Sequence, residues 1–254
     1  MSGFFAALGF LTVLPVPGRS ADPRDLGSSL LWFPVVGLLL GLIVAVFDGL
    51  LIAVLDVAGL GSARSGSYPA LAVAALDLAL LAALTGGLHL DGVADTFDGL
   101  FHPGGRDRRL AIVRDSRSGP HGVAALVLVL LLQAGALAAL PVQERFVTLL
   151  LTPCLGRWAQ VLAIAAFPYA RPEGRGTPFH VPGRRWRTLA ATALVLAVAA
   201  FLCDTGRGLQ LGAVLAVTFG FGWLANRQLG GLTGDTYGAI TELSQAAALL
   251  LYCR

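Results

Sequence analysis

The run LLWFPVVGLLLGLIVAVFDGLLIAVLDV, residues 30–57, decides the fold, because only two of its side chains carry a charge. A helix needs about 20 consecutive apolar residues to cross the hydrocarbon core of a bilayer. Similar runs follow along the chain at 69–90, 122–141, 146–168, 188–203, 208–226 and 236–253. The pattern predicts an all-α fold, a polytopic integral membrane helical bundle of about seven transmembrane helices. A count of roughly six to eight also fits, since Gly135 and Pro153 blur the ends of two runs.

The composition excludes an ordinary soluble domain. Hydrophobic residues make up 56% of the 254 residues and charged residues only 13%, whereas soluble domains have about 25% charged residues. No linker, repeat or low-complexity segment divides the chain, so we expect residues 1–254 to form a single integral membrane domain. The first stretch, GFFAALGFLTVLPVPG at 3–18, has no basic residue ahead of it and contains two prolines. These features favour an interfacial or re-entrant segment over a signal peptide.

The charged residues are distributed unevenly between the loops. All 18 basic residues are arginine. When the loops are numbered alternately, most arginines fall in the set 18–29, 99–121, 169–187 and 227–235. The opposite set, with the C-terminus, holds only Arg64, Arg145, Arg207 and Arg254. Because arginine is enriched in cytoplasmic loops, the first set predicts the cytoplasmic face. The acids on or near that face are Asp91, Asp95, Asp98, Asp107, Asp115, Glu173 and Asp235.

The stretch GGLHLDGVADTFDGLF, residues 86–101, gathers three carboxylates in an otherwise apolar chain. On a helix that advances about 100° per residue, Asp91, Asp95 and Asp98 share a face about 60° wide. Carboxylates crowded in this way repel one another unless a cation lies among them. Their oxygen ligands suit magnesium, calcium or manganese. The alternative is a solvated helix N-terminus, where aspartates favour the helix dipole.

The next segment, RDRRLAIVRDSRSGPHG at 106–122, surrounds Asp115 with arginines. Guanidinium groups bind phosphate oxygens in pairs of hydrogen bonds. Next to a metal-type carboxylate face, this segment indicates a phosphorylated substrate. The alternative is the general enrichment of arginine in cytoplasmic loops, or attraction to anionic lipid headgroups.

A third segment, GGLTGDTYGAITE at 230–242, combines a glycine-rich turn with two further acids. The backbone amides of such a turn can face an anion. Asp235 and Glu242 are seven residues apart, so a helix places both on one side, with Glu242 inside an apolar span. Acids inside a membrane are usually functional, although Glu242 could instead be satisfied by another helix, for example by Arg157. Together the three segments indicate phosphoryl transfer at a membrane face.

These residues resemble a known family. The three segments are similar to motifs of the cobalamin synthase (adenosylcobinamide-GDP ribazoletransferase) family, as are FLTVLPVPG near the N-terminus, LGRWA at 155–159 and ARPEGRG at 170–176. The resemblance runs from about residue 8 to residue 246. Two positions depart from the family's usual pattern, since Val13 stands where an arginine is common and Gln245 where a second acid is common.

The resemblance implies an integral inner-membrane enzyme of late vitamin B12 assembly that requires Mg²⁺. Such an enzyme joins adenosylcobinamide-GDP to α-ribazole or its 5′-phosphate, giving adenosylcobalamin or its 5′-phosphate and releasing GMP. Implied partners are these substrates, the lipid bilayer and other nucleotide-loop assembly enzymes, with no nucleic acid. The candidate catalytic residues are Asp91, Asp95, Asp98 and Asp115. The candidate metal ligands are these four together with Asp235 and Glu242.

The predicted mechanism is an in-line displacement at phosphorus, with the active site on the cytoplasmic side of a bacterial inner membrane. The candidate general base is Asp98, with His89 and His121 as alternatives. The candidate substrate-binding residues are His89, Arg109, Arg114, Arg117, Gly231, Gly234, Asp235 and Glu242.

Two other functions remain open from the sequence. A lipid phosphotransferase that releases CMP, as CDP-alcohol phosphatidyltransferases do, would also use clustered aspartates and magnesium at a membrane face. A cation transporter would use Asp48, Asp77 and Glu242 as residues along its path. Asp48 and Asp77 match no motif and have no assigned role.

Overall fold

The computed structural model of the protein describes residues 2–16, 23–61, 68–115, 117–172, 174, 176–180, 183–202 and 207–252. Arg64, Glu173 and Arg254, together with the side chain of Arg207, lie outside the described residues. Their assignment to one face of the membrane therefore stays a prediction.

Helices account for nearly all regular structure in the described part of the chain. They are α1 (Ser2–Leu11), α2 (Pro23–Ser29), α3 (Phe33–Val57), α4 (Ala70–Thr85), α5 (Leu88–Phe101), α6 (Arg106–Ile112), α7 (Pro120–Ala139), α8 (Val142–Ala166), α9 (Arg184–Phe201), α10 (Arg207–Leu229) and α11 (Gly234–Tyr252). Two 3₁₀ turns, Leu30–Trp32 and Thr177–Phe179, and one isolated bridge between Tyr169 and Leu232 complete it. The prediction of an all-α fold is confirmed for these residues.

Four helical segments in the described residues are long and apolar enough to cross a membrane. They are Leu26–Val57, Pro120–Ala139, Val142–Ala166 and Gly208–Leu229. A fifth is added if the bent pair α4 and α5 forms one span. Large apolar side chains such as Leu50 and Val54 on α3 and Leu128 and Leu131 on α7 point outward, where a bilayer would cover them. The chain is thus a multi-pass membrane protein, although the predicted seven spans are not reached by this measure.

Two of the predicted spans form helices that are less apolar than expected. α9 begins with three arginines within four residues. α11 is buried along most of its length and packs against α5, α7, α8 and α10. Because its polar side chains face other helices instead of lipid, the low hydropathy of α11 does not prevent a place inside the bundle.

The run predicted as one span at 69–90 is broken. α4 ends at Thr85, and α5 leaves at an angle of 92°. Gly86 and Gly87 at the break have φ values of 61° and 69°, in the left-handed region that glycine adopts without steric cost. The bend within the predicted span was not foreseen, because hydropathy does not report backbone dihedral angles. The bend places the aspartates on a separate helix.

Glycines also allow close packing at the centre of the bundle, where α3 crosses α8. A β-carbon at Gly41 would lie 2.3 Å from the backbone oxygen of Leu150, and one at Gly37 would lie 2.5 Å from that of Pro153. The two helices therefore touch backbone to backbone. Glycine and other small residues support this kind of contact between membrane helices.

Candidate active site

The aspartate helix α5 lies directly against α11. A β-carbon at Gly92 would lie 2.6 Å from the backbone oxygen of Asp235, and one at Gly238 would lie 3.2 Å from Cα of His89. Larger residues at these positions would force the two helices apart. The glycines of two distant motifs thus bring Asp235, in the first turn of α11, beside the aspartates of α5.

The carboxylates of α5 and α11 form one group, which we call the carboxylate cluster: Asp91, Asp95 and Asp235. Asp91, Asp98 and Asp235 each act electrostatically on Asp95. Asp91 is exposed and Asp95 is half-buried, so the cluster opens to the outside of the bundle. The structure therefore brings together residues that the sequence predicted from two separate motifs.

Among the described residues, one arginine faces the cluster. Nη1 of Arg171 lies 3.7 Å from Oδ2 of Asp235, and both side chains are largely buried. Arg171 was not among the candidate residues, although it lies in the ARPEGRG segment that carries part of the family resemblance. The parallel bridge between Tyr169 and Leu232 fixes its position, with Ala170 donating to the Leu232 oxygen and Leu232 to the Pro168 oxygen, each at 2.8 Å.

The glycine turn before α11 allows the two segments of this bridge to approach closely. Gly231 has a φ of 149°, and a β-carbon there would lie 2.7 Å from the amide nitrogen of Ala170. Gly234 begins α11, where Thr233 and Thr236 cap the helix through reciprocal hydrogen bonds of 2.6 and 3.2 Å. Gly231 thus allows the chain near Arg171 to approach closely. Its predicted role in binding an anion stays a prediction.

Asp98 has a different environment from its neighbours on α5. Its carboxylate accepts hydrogen bonds from the amides of Gly119 at 2.5 Å and Gly122 at 2.8 Å. These amides belong to the first turn of α7, whose N–H groups have no partner within the helix. A β-carbon on either glycine would lie within 2.6 Å of the Asp98 carboxylate. Asp98 therefore caps α7 from α5, which explains the two glycines of SGPHG.

The arginine segment around α6 is only partly directed at the cluster. Arg117 binds Asp115 at 2.7 Å and holds the pKa of that exposed carboxyl at about 2. Arg109 donates to the Gly104 oxygen at 2.8 Å. Arg114 is exposed and, with Asp115 and Arg171, lines an open cavity of about 660 Å³. We call this the arginine cavity.

His89 and Glu242 lie inside the bundle, apart from the cluster. Glu242 accepts a hydrogen bond from Gln133 at 2.9 Å. Arg157 is fully buried and donates to Gln245 at 3.2 Å and to Nδ1 of His89 at 3.3 Å. This internal network joins α8 to α5 and α11. His121, the other histidine considered as a base, is exposed and stacks on Phe101.

The two unassigned acids, Asp48 and Asp77, have partners. Fully buried Arg145 binds Asp48 through Nε at 2.9 Å and Asp77 through Nη2 at 2.9 Å. It also donates to the Leu137 oxygen at 2.5 Å. The sequence assigned Arg145 to a loop, but it points into the bundle from the start of α8. We call Asp48, Arg145 and Asp77 the buried triad.

The chemistry of the donors in the cluster fits Mg²⁺. Three mutually repelling carboxylates offer only oxygen ligands, and the nearest identified cation is a single arginine at 3.7 Å. Among the described residues, no three His, Cys, Asp or Glu side chains converge tightly enough to hold a metal ion by themselves. Mg²⁺ usually binds one or two carboxylates together with substrate phosphates instead of an all-protein cage. The six predicted ligands do not form one cage.

Comparison with known proteins identifies the family. The model of the cobalamin-5-phosphate synthase family matches residues 3–253. An adenosylcobinamide-GDP ribazoletransferase of Synechococcus elongatus is 43% identical over 249 residues, covering 95% of this chain and 92% of its own. One of Pseudomonas fluorescens is 43% identical over 258 residues, covering 98% of each chain. One of Desulforamulus reducens is 38% identical over 250 residues, covering 96% and 93%. No solved structure gives a significant match. With these matches and an open carboxylate cluster at a helix crossing, the chain belongs to the cobalamin-5-phosphate synthase family.

Proposed function

We propose that the protein is an adenosylcobinamide-GDP ribazoletransferase of vitamin B12 biosynthesis. It joins adenosylcobinamide-GDP to α-ribazole or its 5′-phosphate, giving adenosylcobalamin or its 5′-phosphate and GMP. The observation that carries the proposal is the carboxylate cluster, which the crossing of α5 and α11 assembles beside Arg171. The names and coverage of the relatives support the choice of substrates.

The reaction is an in-line displacement at phosphorus. A ribose hydroxyl oxygen of α-ribazole attacks the phosphorus that bears the cobinamide, and the bond from that phosphorus to the bridging oxygen breaks. GMP leaves with the bridging oxygen and its electron pair. Arg171 and Arg114 bind the diphosphate and stabilise the negative charge that builds up on the leaving group.

The hydroxyl proton passes to a carboxylate. Asp91 is the best placed acceptor, since it is the exposed member of the cluster. Asp98 is less suited to that role because both of its oxygens accept backbone hydrogen bonds. Its contribution is to position the N-terminus of α7 against α5.

Asp91, Asp95 and Asp235 would hold Mg²⁺ at this site. When bound, the ion neutralises charge on the diphosphate and makes the phosphorus more electrophilic. The family resemblance adds two further acids to the ligand set. Asp115 is paired with Arg117, and Glu242 is hydrogen-bonded to Gln133. Without the ion, the carboxylates would repel the diphosphate, which explains why a cation and arginines belong to the same site.

The whole chain forms one catalytic domain in the bacterial cytoplasmic membrane, and α3, the α4–α5 pair and α7 to α11 cross the bilayer seven times. The active site faces the cytoplasm, the side favoured by the arginine-rich loops. The other enzymes of nucleotide-loop assembly would meet it on that side.

The test is an assay of the purified protein in lipid. We expect GMP release from adenosylcobinamide-GDP only when both α-ribazole and Mg²⁺ are present. CDP-diacylglycerol with a lipid alcohol acceptor serves as the control for the lipid phosphotransferase alternative. Release of CMP in that control, with no ribazole-dependent GMP, would contradict the proposal. Uptake of a divalent cation into proteoliposomes without any nucleotide would favour the transporter.

A further inference from the structure

A second open cavity is lined in part by the aspartate helix. It has a volume of about 670 Å³ and is lined mostly by apolar residues of α1, α5 and α7, among them Phe10, Leu88, Leu90 and Leu126, together with the polar residues Thr85, Asp91 and Ser118. Asp91 is its one charged group among the described residues that line it. We call it the apolar cavity. Its volume is in the range of small-molecule sites, roughly 300–1,000 Å³.

The N-terminal segment forms a firm wall of this cavity. The amide of Val13 donates to the Leu84 oxygen at 2.9 Å, which fixes the segment over the bend at Gly86 and Gly87. Phe10 packs against Phe33 and Phe179 with ring centroids 6.0 and 5.1 Å apart. The cavity is therefore held in shape by aromatic packing and by the broken helix.

The carboxylate cluster is linked to both cavities. Asp91 lines the apolar cavity, and Arg171, 3.7 Å from Asp235, lines the arginine cavity. Asp95 interacts with both Asp91 and Asp235. A displacement at phosphorus requires an attacking and a leaving group on opposite sides of the reacting atom. One cavity lined by Asp91 and another lined by the arginine that faces Asp235 can place the attacking and leaving groups on different sides of the phosphorus.

The side chains that line each cavity suit a different substrate. A diphosphate needs arginines, and the arginine cavity has Arg114 and Arg171. Its two carboxylates, Asp107 and Asp115, are paired with Arg106 and Arg117. The ribazole base is a flat, uncharged benzimidazole attached to a ribose with free hydroxyls. Such a base fits apolar walls, and a hydroxyl can donate to the Asp91 carboxylate at their edge.

We propose that the apolar cavity is the acceptor site, which binds the aromatic base of α-ribazole, and that the arginine cavity binds the diphosphate of the donor. This assignment rests on the proposed function. It gives the N-terminal segment a role as the wall of the acceptor site, and it requires both substrates to be bound together before GMP leaves.

Two matched substitutions test the assignment. Leu126→Trp narrows the apolar cavity from α7, and Ala111→Trp narrows the arginine cavity from α6. We expect Leu126→Trp to raise the KM for α-ribazole by about tenfold with little change in the KM for adenosylcobinamide-GDP, and Ala111→Trp to do the reverse. Val13→Trp, on a different wall, should repeat the effect of Leu126→Trp and guards against a local folding defect.

The outcomes separate the two proposals. A wild-type protein that releases no ribazole-dependent GMP overturns the proposed function. A wild-type protein that does release it, while Leu126→Trp and Val13→Trp keep the wild-type KM for α-ribazole, overturns only the cavity assignment. The cavity assignment would also be overturned if Leu126→Trp raised the KM for adenosylcobinamide-GDP and Ala111→Trp raised the KM for α-ribazole. Parallel lines in double-reciprocal plots of the initial rate, with both substrates varied, would contradict the simultaneous binding of donor and acceptor.

Discussion

Two groups of acidic side chains lie in this bundle, and they differ in exposure and in partners. In the buried triad, Asp48 and Asp77 share Arg145, which is fully buried and bound through several hydrogen bonds. In the carboxylate cluster, Asp91, Asp95 and Asp235 are at least partly accessible, and Arg171 is the one cation that the described residues place beside them. Under the proposed function, the same residue type serves structure where it is paired and enclosed, and chemistry where negative charge is left over at an open surface.

The largest effect should come from the cluster. We expect Asp95→Ala to be folded and inserted in the membrane, with turnover lowered by about a thousandfold, or roughly 4 kcal/mol of transition-state stabilisation. The measurement is GMP release from purified protein, with circular dichroism and thermal unfolding as the check on folding. Turnover near that of the wild type would contradict the role of the cluster.

The buried triad should respond in the opposite way. Arg145→Met would leave two carboxylates in the interior without their cation, at a cost of about 3 kcal/mol in the free energy of unfolding. The measurement is thermal stability in detergent. Adding Asp48→Asn to this variant should recover part of the loss, because it removes one of the unpaired charges. An Arg145→Met protein with wild-type stability and lost activity would place the triad among the functional groups.

Features that depend on residues close together in the sequence could be predicted, whereas features that depend on residues far apart in the sequence could not. The shared face of Asp91, Asp95 and Asp98 follows from helix geometry over a few residues. Arg145 and Asp48 are 97 positions apart, and no local pattern indicates which helices bring them together. Arg171 was not predicted for the same reason, since contacts with distant residues, among them the bridge between Tyr169 and Leu232, bring it to Asp235.

Two helices also show the limits of reading hydropathy. The apolar run 69–90 continues through Gly86 and Gly87, yet their left-handed backbone breaks it and turns α5 aside. The approximate positions of α7, α8 and α10 were predicted well, because their apolar side chains face outward or fill the core along their length. For α11 the sequence indicated a span, but its polar residues meet other helices, which hydropathy alone does not reveal.

A smaller effect should follow from removing the arginine beside the cluster. Arg171→Ala is expected to raise the KM for adenosylcobinamide-GDP by about thirtyfold, roughly 2 kcal/mol, because one charged hydrogen-bond donor to the diphosphate is lost. Arg171→Lys should recover part of the loss, since it restores the charge without the paired geometry. Steady-state kinetics with each substrate varied is the measurement, and a rise confined to the KM for α-ribazole would contradict this role.

The smallest effect should come from Asp98. Asp98→Asn keeps an oxygen that can accept one of the two amide hydrogen bonds, so we expect a loss of about 1 kcal/mol in stability and a partial loss of activity. Thermal unfolding and GMP release measured together test this expectation. If Asp98→Asn were as inactive as Asp95→Ala while fully stable, Asp98 would belong to the chemistry and not to the cap of α7.

The decisive question is whether a divalent cation binds at the carboxylate cluster with the diphosphate. Electron paramagnetic resonance of Mn²⁺ added to the detergent-purified protein answers it without any turnover. We expect Mn²⁺ to be immobilised in the presence of adenosylcobinamide-GDP, to be released in Asp95→Asn, and to stay bound in Asp77→Asn. Equal binding of Mn²⁺ in the wild type and in Asp95→Asn would contradict a metal site at the crossing of α5 and α11.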